Sequence, residues 1–483
     1  MLLVSLFGLS SPSTWLPLFM TSPVDSFTSL NLKRELLANL DSLGYTSMTP
    51  IQAQSLPEIL AGKDVIAQGK TGSGKTAAFG LGILQKLEVK RFRIQTLILC
   101  PTRELADQVA TEIRRLARAI HNIKVLTLCG GTAFGPQIGS LEHGAHIVVG
   151  TPGRVEEHVR KGYLVLKDVS TLVLDEADRM LDMGFQDAVT AIVNKIPAQR
   201  QTLLFSATYQ GKIQEIAEGI MQNPSMVKVA SRHDDSVIEQ HFYHVEGNTH
   251  RLQATKLLLQ EHSPESTVVF CNTRREVQEV ADKLLDVGFS ALALHGDLEQ
   301  RDRDRVLVRF ANKSASVLVA TDVAARGLDI EALDLVLNYH VALDPEVHVH
   351  RIGRTGRAGS KGFACSLFAD KEHHKIMQLE DYLQCVIQPV ELPHVSLLDR
   401  PIDPPKMSTL QIDGGKKQKV RPGDILGALT GENGIAGKDV GKINVYDQWA
   451  YVAVTQSVTK KALKKLSTGK LKGRSFRVWQ VNR

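Results

Sequence analysis

A glycine-rich segment is the first feature of the sequence with clear chemical potential. The apolar run Asp64–Gln68 leads into it, and it ends in Gly74-Lys75-Thr76, with the spacing GxxxxGK[ST]. Glycines let successive backbone N–H groups turn inward around phosphates, a lysine reaches the β and γ oxygens, and a threonine hydroxyl binds Mg²⁺. The sequence therefore predicts a nucleotide site with Lys75 as a catalytic residue. The predicted phosphate contacts are Gly69, Thr71, Gly72, Ser73, Gly74, Lys75 and Thr76.

Two adjacent carboxylates follow the apolar run Thr171–Leu174. By themselves, Asp175 and Glu176 fit a solvated turn or a helix N-cap equally well. Because a phosphate loop precedes them in the same predicted domain, the catalytic interpretation is favoured. Asp175 would then hold Mg²⁺ through its water shell, and Glu176 would orient and deprotonate the attacking water.

The elements that must position these residues follow a regular alternation. Short apolar, β-branched runs alternate with helical stretches from Val65 to Thr208, which is typical of a parallel sheet covered by helices. The same alternation returns after Ser231–Glu239. We therefore predict two tandem α/β domains, over residues 23–230 and 240–399, joined by a linker at 231–239.

A third composition begins with a proline-rich break at 400–406. Residues 407–483 contain four strand-like runs and two helix-like stretches, in the order β-α-β-β-α-β, which is compatible with a small α+β RNA-recognition fold. From Pro401 onward the chain has 16 Lys and Arg against 6 Asp and Glu, a net charge of +10, whereas the whole chain has +6. This asymmetry favours a polyanionic partner over a merely solvated basic surface.

The cysteines, the N-terminal residues and the histidines narrow the possible cellular location and cofactors of the protein. The five cysteines form no CxxC pair, which indicates buried thiols in a reducing cytoplasm. Residues 1–22 are apolar but lack a basic start, and Pro12 and Pro17 interrupt them, so we interpret them as an extension before a start at Met20 rather than a signal peptide or membrane anchor. Four histidines lack the spacing of metal ligands, and we expect surface or hydrogen-bonding roles for them: His340, His348, His350 and His373.

In their order along the chain, these motifs resemble those of the DEAD-box family of superfamily-two helicases, from Phe27 to Phe368. The resemblance implies two RecA-like domains and an ATP-dependent RNA helicase that uses ATP and Mg²⁺. Gly44-Tyr45 and Thr49-Pro50-Ile51-Gln52 are similar to the family's adenine-reading Q motif. In that motif Gln52 would bond the base edge, and Phe27 would stack on the ring unless it is a plain core aromatic.

Several other loops are similar to the family's RNA contacts. Each combines glycine or proline turns with hydroxyl or guanidinium groups, which suits contact with the sugar-phosphate backbone and a grip that ignores base sequence. The residues that the resemblance assigns to RNA binding are Pro101, Thr102, Arg103, Gly131, Thr151, Gly153, Arg154, Thr273, Arg274, Gly296 and Thr321.

The resemblance also assigns coupling roles. Ser206 and Thr208 would link ATP hydrolysis to strand separation. Their hydroxyls would bond to the carboxylates of the segment Asp175-Glu176-Ala177-Asp178. Asp329 would approach the ribose, and Arg354 and Arg357 would stabilise the transition-state charge, an effect of ~10³-fold or more in rate. Because the second domain carries no phosphate loop in the sequence, the resemblance implies that RNA and ATP each favour domain closure.

The C-terminal segment resembles the divergent RNA-recognition domain of one bacterial DEAD-box subgroup. That resemblance implies two partners, large-subunit (23S) rRNA and pre-ribosomal large-subunit particles. It also implies a monomer that does not contact a membrane. Trp449–Val454 lacks most of the aromatic pattern that stacks bases. We therefore expect phosphate contacts to dominate, unless these cations only confer solubility: Lys460, Lys461, Lys464, Lys465, Lys470, Lys472, Arg474 and Arg477.

We predict a helicase that opens short rRNA duplexes locally. Four other functions are alternatives to it. They are a general RNA helicase without rRNA specificity, an ATP-dependent RNA clamp or scaffold, a DNA helicase, and a P-loop kinase or transporter ATPase. The sequence Asp175-Glu176-Ala177-Asp178 and the Q motif favour an RNA substrate over DNA. A kinase or transporter ATPase would not account for the segment His350–Arg357 in the second domain.

Overall fold

The structure is a computed structural model, and it describes residues 26–69, 72–209, 211–229, 238–325, 333–356 and 362–481. The chain divides into two compact units, residues 1–232 and residues 233–483. The predicted N-terminal extension at 1–22 lies outside the described residues, and so does most of the predicted linker at 231–239. The last two residues of that linker belong to a strand, because β8 begins at Ile238.

The first unit is built on a seven-stranded parallel sheet with the order β3-β4-β2-β5-β6-β1-β7. Most of its strands are short, apolar and buried along their whole length, as expected for a sheet covered on both faces. Its elements are α1 (Arg34–Ser42), α2 (Pro50–Leu60), β1 (Val65–Gln68), α3 (Lys75–Lys86), β2 (Thr96–Leu99), α4 (Arg103–Leu116), β3 (Val125–Leu128), α5 (Phe134–Glu142), β4 (Ile147–Gly150), α6 (Pro152–Arg160), β5 (Thr171–Asp175), α7 (Ala177–Asp182), α8 (Gln186–Val193), β6 (Gln201–Ser206), α9 (Lys212–Ile220) and β7 (Ser225–Lys228).

The second unit begins with a six-stranded parallel sheet of order β10-β11-β9-β12-β13-β8. The two parallel sheets confirm the predicted α/β class. The elements are β8 (Ile238–His244), α10 (Gly247–His262), β9 (Thr267–Phe270), α11 (Arg274–Asp286), β10 (Ala291–Leu294), α12 (Gln300–Ala311), β11 (Val317–Ala320), α13 (Asp322–Ala325), β12 (Leu335–Asn338), α14 (Pro345–Ile352), β13 (Gly362–Phe368) and α15 (His373–Leu383).

The same unit ends in a four-stranded antiparallel sheet of order β15-β16-β14-β17, which we call the C-terminal sheet. Its β-α-β-β-α-β order is the predicted one. The elements are β14 (Met407–Ile412), α16 (Pro422–Thr430), β15 (Val440–Val445), β16 (Ala450–Thr455), α17 (Thr459–Thr468) and β17 (Val478–Gln480).

The two central strands of the C-terminal sheet, β14 and β16, are buried on both faces, whereas the edge strands β15 and β17 are partly exposed. On one face, alternate residues of β14 and β16, such as Leu410 and Val452, form a core with α16 and α17. On the other face, Tyr451 is 2% exposed and packs with Val308 of α12, and the Arg301 guanidinium lies 5.9 Å from the Trp449 ring centre. We call this second face the α12-facing side. An ordinary RNA-recognition sheet uses its open face to stack bases, and here α12 covers that face.

The segment predicted as a linker at 400–406 is attached to the second parallel sheet along its length. The Gln260 side chain donates to the Arg400 carbonyl at 2.8 Å, and Ile402 packs on the core under that sheet. At the end of the segment, Lys406 pairs with Glu265. These contacts, together with the α12-facing side, hold the C-terminal sheet against the second parallel sheet.

A buried ion pair lies under the second parallel sheet. Arg251 is 1% exposed and donates to Glu372 at 2.5 Å and to the Leu367 carbonyl at 2.9 Å. Burial acts to raise the pKa of Glu372, but the hydrogen bonds from His340 and Arg251 outweigh it and lower that pKa to about 2. Glu372 is therefore a buried charge that depends on its partners.

Replacing Arg251 with methionine should destabilise the second unit by about 3–5 kcal/mol, because Glu372 would keep its burial and lose its main counter-charge. The measurement is urea unfolding followed by the fluorescence of Trp449 and Trp479, which both belong to this unit. Adding Glu372→Gln to the variant should restore part of the loss. Equal stability of Arg251→Met and the parent chain would contradict this account of the ion pair.

Candidate functional site

The glycine-rich segment lies where β1 ends and α3 begins. Gly74 takes φ +93° and Gly72 takes φ +82°, left-handed values that glycine adopts without strain. Lys75 is buried, and its Nζ donates to the Gly69 carbonyl at 2.8 Å, so the loop closes on its own lysine. Ser73 and Thr76 lie in the same turn, and Thr71 lies outside the described residues. The left-handed glycines and the position of Lys75 at the start of α3 are compatible with the predicted phosphate loop.

Gln52 fixes this loop from the neighbouring helix α2. Its Oε1 accepts from the Thr49 N–H at 2.9 Å, and its Nε2 donates to the Gly74 carbonyl at 3.1 Å. The Thr49 hydroxyl donates to the Ser73 carbonyl at 2.7 Å. An amide has two N–H donors and two acceptor positions, so these two bonds leave Gln52 with one of each.

Phe27 lies in the core of the first unit. It is 3% exposed and meets Tyr45 edge-on, with ring centres 6.1 Å apart. This placement matches the alternative of a plain core aromatic, since a buried ring offers no free face to a nucleotide. Stacking of Phe27 on adenine stays a prediction.

Asp175 and Glu176 occupy the carboxyl end of β5. Asp175 is 3% exposed, and burial raises its pKa to about 7, although the nearby Lys75 ammonium acts to lower it. Glu176 takes φ +52° and its Oε2 accepts from Arg179 at 3.0 Å. A buried carboxylate with a raised pKa lacks enough positive charge to stabilise its ionised form, so this site fits a dication such as Mg²⁺.

The Ser206-Ala207-Thr208 segment joins the acidic strand end to the phosphate loop. Asp178 accepts from the N–H groups of Ala207 and Thr208 at 3.1 and 3.2 Å, and the Gly69 N–H donates to the Ser206 carbonyl at 3.0 Å. The predicted bond through hydroxyls is corrected for Ser206, whose Oγ is buried with no hydrogen-bond partner among the described residues. The link therefore runs through the backbone, because the strand end points its N–H groups toward Asp178.

The predicted RNA-binding loops of the first unit meet at one edge of the sheet. They follow the carboxyl ends of β2, β3 and β4, which are neighbours in the sheet. Thr102 caps α4 by accepting from the Leu105 N–H at 3.3 Å, and Gly131 takes φ +72°. The Arg154 guanidinium donates to the Thr132 carbonyl at 3.0 Å, so it holds the glycine loop in place. The other predicted residues of this edge are Pro101, Arg103, Thr151 and Gly153.

The second unit brings its own predicted loops together in the same way. Thr273 caps α11, Thr321 caps α13, and Arg274 pairs with Asp297 next to Gly296. These residues follow β9, β10 and β11, which are adjacent strands. Arg354 follows α14, whereas Asp329 and Arg357 lie outside the described residues.

Sequence reasoning missed the role of Arg351. This first arginine of the His350–Arg357 segment is 2% exposed and makes two bonds to Asp322, at 2.6 and 2.7 Å, and one to the His340 carbonyl at 2.8 Å. It therefore ties α14 to α13 and β12 and is a positioning residue. A bidentate arginine needs a matching carboxylate, and Asp322 after β11 was the available signal.

Two of the four histidines, His340 and His348, make side-chain hydrogen bonds. His340 bridges Glu276 and Glu372, at 2.6 and 3.2 Å, and His348 contacts Gln240 at 3.1 Å. Across the described ranges, no group of three or more histidine, cysteine or acidic side chains could hold a metal ion. In the part of the chain that the structure describes, no helix combines the length and the apolar character needed to cross a membrane.

The lysines of α17 lie on the face opposite α12, whereas Arg477 lies on the α12-facing side, with its guanidinium 5.7 Å from the ring centre of Trp479. Helix α17 covers the core face of the C-terminal sheet and exposes Lys460, Lys461 and Lys464 to solvent. Of the other predicted cations, Lys470, Lys472, Arg474 and Arg477 are exposed, and Lys465 is half-buried. Phosphate contacts from this surface are sterically open, whereas stacking on Tyr451 is blocked.

A phosphate loop, an acidic strand end and the Ser206–Thr208 link in one parallel sheet, followed by a second parallel sheet, define the class of tandem-sheet nucleic-acid helicases. Three family descriptions match: "DEAD/DEAH box helicase" over residues 49–216, "Helicase conserved C-terminal domain" over 250–359, and "DbpA RNA binding domain" over 409–480.

Individual relatives are similar over almost the whole chain. The "ATP-dependent RNA helicase DbpA" of Escherichia coli is 54% identical over 94% of this chain and 99% of its own length, and the Bacillus subtilis protein of that name is 36% identical over 95% and 99%. A solved structure of S. cerevisiae Dbp5 bound to RNA and ADP BeF3 is similar with a TM-score of 0.68 and 29% identity, covering 76% of this chain and 96% of that one.

The chain therefore belongs to the DbpA family of DEAD-box ATP-dependent RNA helicases. This confirms the predicted enzyme class and the use of ATP and RNA. It rules out the DNA helicase and the kinase or transporter as alternatives.

Replacing Gly74 with alanine should lower RNA-stimulated ATP hydrolysis by about a hundredfold or more. The added Cβ would lie 2.5 Å from Gln52 Nε2 and 2.9 Å from Thr49 Oγ1, and a displacement of about 1 Å in a catalytic loop costs ~10²-fold. Steady-state ATPase assays with saturating RNA measure this. The control is Gly219→Ala in α9, where nothing lies within 4 Å of the added atom. Activity of Gly74→Ala within a few-fold of the parent would refute the argument.

Two C-terminal variants should have opposite effects. Tyr451→Ala should cost about 3–5 kcal/mol of stability and leave RNA affinity nearly unchanged, because Tyr451 faces α12. Lys461→Glu/Lys464→Glu should leave the melting temperature unchanged and weaken RNA binding about tenfold at low salt. Thermal melts and RNA titrations compare them. Loss of RNA affinity in Tyr451→Ala at temperatures where it stays folded would show that the sheet stacks bases.

Proposed function

We propose that this helicase opens short RNA duplexes locally in large-subunit (23S) rRNA and acts in assembly of the large ribosomal subunit. The observation that carries the proposal is the C-terminal segment: it matches the DbpA RNA-binding domain, carries a net charge of +10 from Pro401 onward, and exposes its cations on a surface that α12 leaves open. The resemblance noted from sequence supplies the rRNA target. We further propose a cytoplasmic monomer.

Nucleotide chemistry is proposed for the loop and strand ends of the first unit. Lys75 would bind the β and γ phosphates, Gln52 the adenine edge, and Thr76 and Asp175 would hold Mg²⁺, largely through water. Bound Mg²⁺ would neutralise phosphate charge and thereby keep Asp175 ionised. Glu176 would accept the proton of the attacking water, because its carboxylate sits at the strand end beside Asp175.

The remaining site residues have supporting roles in this proposal. Asp329 would contact the ribose, and nucleotide binding would have to expose the Phe27 ring before that ring could stack on the base. Arg354 and Arg357 would supply positive charge to the transferred phosphoryl group. The predicted loops of both units would hold the RNA backbone, which gives no base specificity. The choice of RNA would then come from the C-terminal segment, whose phosphate contacts would select the shape of a folded RNA rather than its base sequence.

ATPase rates with large-subunit rRNA, small-subunit rRNA and poly(U) test the proposal directly. Large-subunit rRNA should stimulate at least about tenfold more strongly at equal concentration, because the C-terminal contacts add binding energy of ~1.4 kcal/mol or more. Lys461→Glu/Lys464→Glu should lose this preference and keep its poly(U)-stimulated rate.

Point variants are better here than a chain ending at Asp399. Truncation would expose Val308 of α12, which the C-terminal sheet now covers, and could lower activity for that reason alone. Equal stimulation by all three RNAs would leave a general RNA helicase without rRNA specificity. Stimulated hydrolysis without strand separation in a parallel unwinding assay would instead identify an ATP-dependent RNA clamp.

A further inference from the structure

A basic loop with an exposed aromatic ring precedes β2 in the first unit. Lys90, Arg91, Phe92 and Arg93 are all exposed, and Phe92 is 43% exposed, which is unusual for so large an apolar side chain. The loop lies at the amino-terminal end of β2. The nucleotide loop and the predicted RNA loops follow carboxyl ends of the strands in this parallel sheet, so this loop lies at the opposite edge.

Two buried side chains hold this loop in one conformation. Gln95 donates to the Glu88 and Arg91 carbonyls at 2.9 and 2.7 Å and accepts from the Glu88 N–H at 3.1 Å. His146, wholly buried, contacts the Val89 carbonyl at 3.0 Å. The loop is therefore preorganised, and ordering its side chains for a ligand would cost less than in a mobile segment.

Phe92 is supported from below. Its ring meets the His146 ring edge-on at 4.8 Å, and it lies so close to Gly144 that a Cβ there would be 2.5 Å from the ring. Gly144 also takes φ +71°. This support presents the ring to solvent rather than letting it turn inward.

The charges around the ring are mostly positive. Asp168 pairs with Arg91 at 2.7 Å. Lys90 and Arg93 remain exposed on either side of Phe92 in the sequence, and Lys124 lies against the His143 carbonyl at 3.2 Å, next to Gly144. A supported aromatic ring flanked by cations is the arrangement that binds single-stranded nucleic acid, with a base stacked on the ring and phosphates on the cations.

We propose that this loop is a second RNA-binding surface, at which Phe92 stacks on one unpaired base and Lys90, Arg93 and Lys124 contact the neighbouring phosphates. The ligand is a single-stranded flank of the RNA on which the helicase acts. An acidic protein would be attracted to the same charges, but it would not require the ring. The proposal does not depend on large-subunit targeting, because stacking and phosphate contact are independent of RNA sequence.

The test uses the full-length chain and uridine homopolymers of two lengths, one confined to the helicase loops and one long enough to reach the opposite edge of the sheet. Phe92→Leu keeps the apolar contact with Gly144 and removes the aromatic face. It should weaken binding of the long polymer about tenfold and leave the short polymer unchanged. Lys90→Glu/Arg93→Glu should also flatten the salt dependence of the long polymer, with a slope lower by about 1–2.

A charge-matched control is Arg34→Glu/Lys228→Glu, which reverses two exposed cations elsewhere in the first unit. It should bind both polymers as the parent does. A second readout is photocrosslinking of 4-thiouridine RNA to the peptide that contains Phe92. ATP hydrolysis with the saturating short polymer should be unchanged in every variant, which confirms that each remains folded.

Three results would overturn the proposal. Equal weakening by the control would show that only net charge matters. Unchanged binding of the long polymer to both loop variants, without a crosslink at Phe92, would show that the loop does not bind RNA. Protection of the loop by polyglutamate but not by RNA would reject it in favour of an acidic protein. Because poly(U) is not ribosomal, none of these results bears on the preference for large-subunit rRNA.

Discussion

The proposed targeting depends on the burial of both faces of β14 and β16, the central strands of the C-terminal sheet. One face of the sheet packs against α16 and α17 and forms a core with them. An RNA-recognition fold normally leaves the other face of its sheet open. Here Tyr451 and Thr409 are turned toward the second parallel sheet, and Asn312 donates to the Thr409 hydroxyl at 3.2 Å. In the proposed function, RNA would therefore bind elsewhere on this domain, and the exposed cations of α17 offer such a surface.

Parallel strands set a comparable constraint in the first unit. Their carboxyl ends lie at one edge of the sheet, so the phosphate loop, the acidic strand end and the RNA loops lie close to one another although they are far apart in sequence. Short backbone bonds then connect them: Asp178 to the N–H groups after β6, and Gln52 to Gly74. A displacement of one loop therefore shifts the loop bonded to it, because these hydrogen bonds join the two directly.

Much of this could be predicted from sequence, because glycines and short apolar runs have strong local preferences. The loop from Gly69 to Thr76 and the order of strands are of this kind. Arg351 and Arg354 were not distinguished from sequence, since Asp322 signals a carboxylate partner but does not show which arginine reaches it. One sequence signal did indicate that both faces of β16 in the C-terminal sheet are covered. Ala450–Val454 is apolar at every position, as is typical of a strand buried on both faces.

The central claim is that the C-terminal sheet and the second parallel sheet form one rigid body, so that anchored RNA fixes the position of the helicase. Residual dipolar couplings of backbone amides, measured by NMR on the full-length chain, test it most directly. The account predicts that amides of β9–β13 and of β14–β17 fit a single alignment tensor. Two distinct tensors would mean that the C-terminal sheet moves independently, and would contradict it.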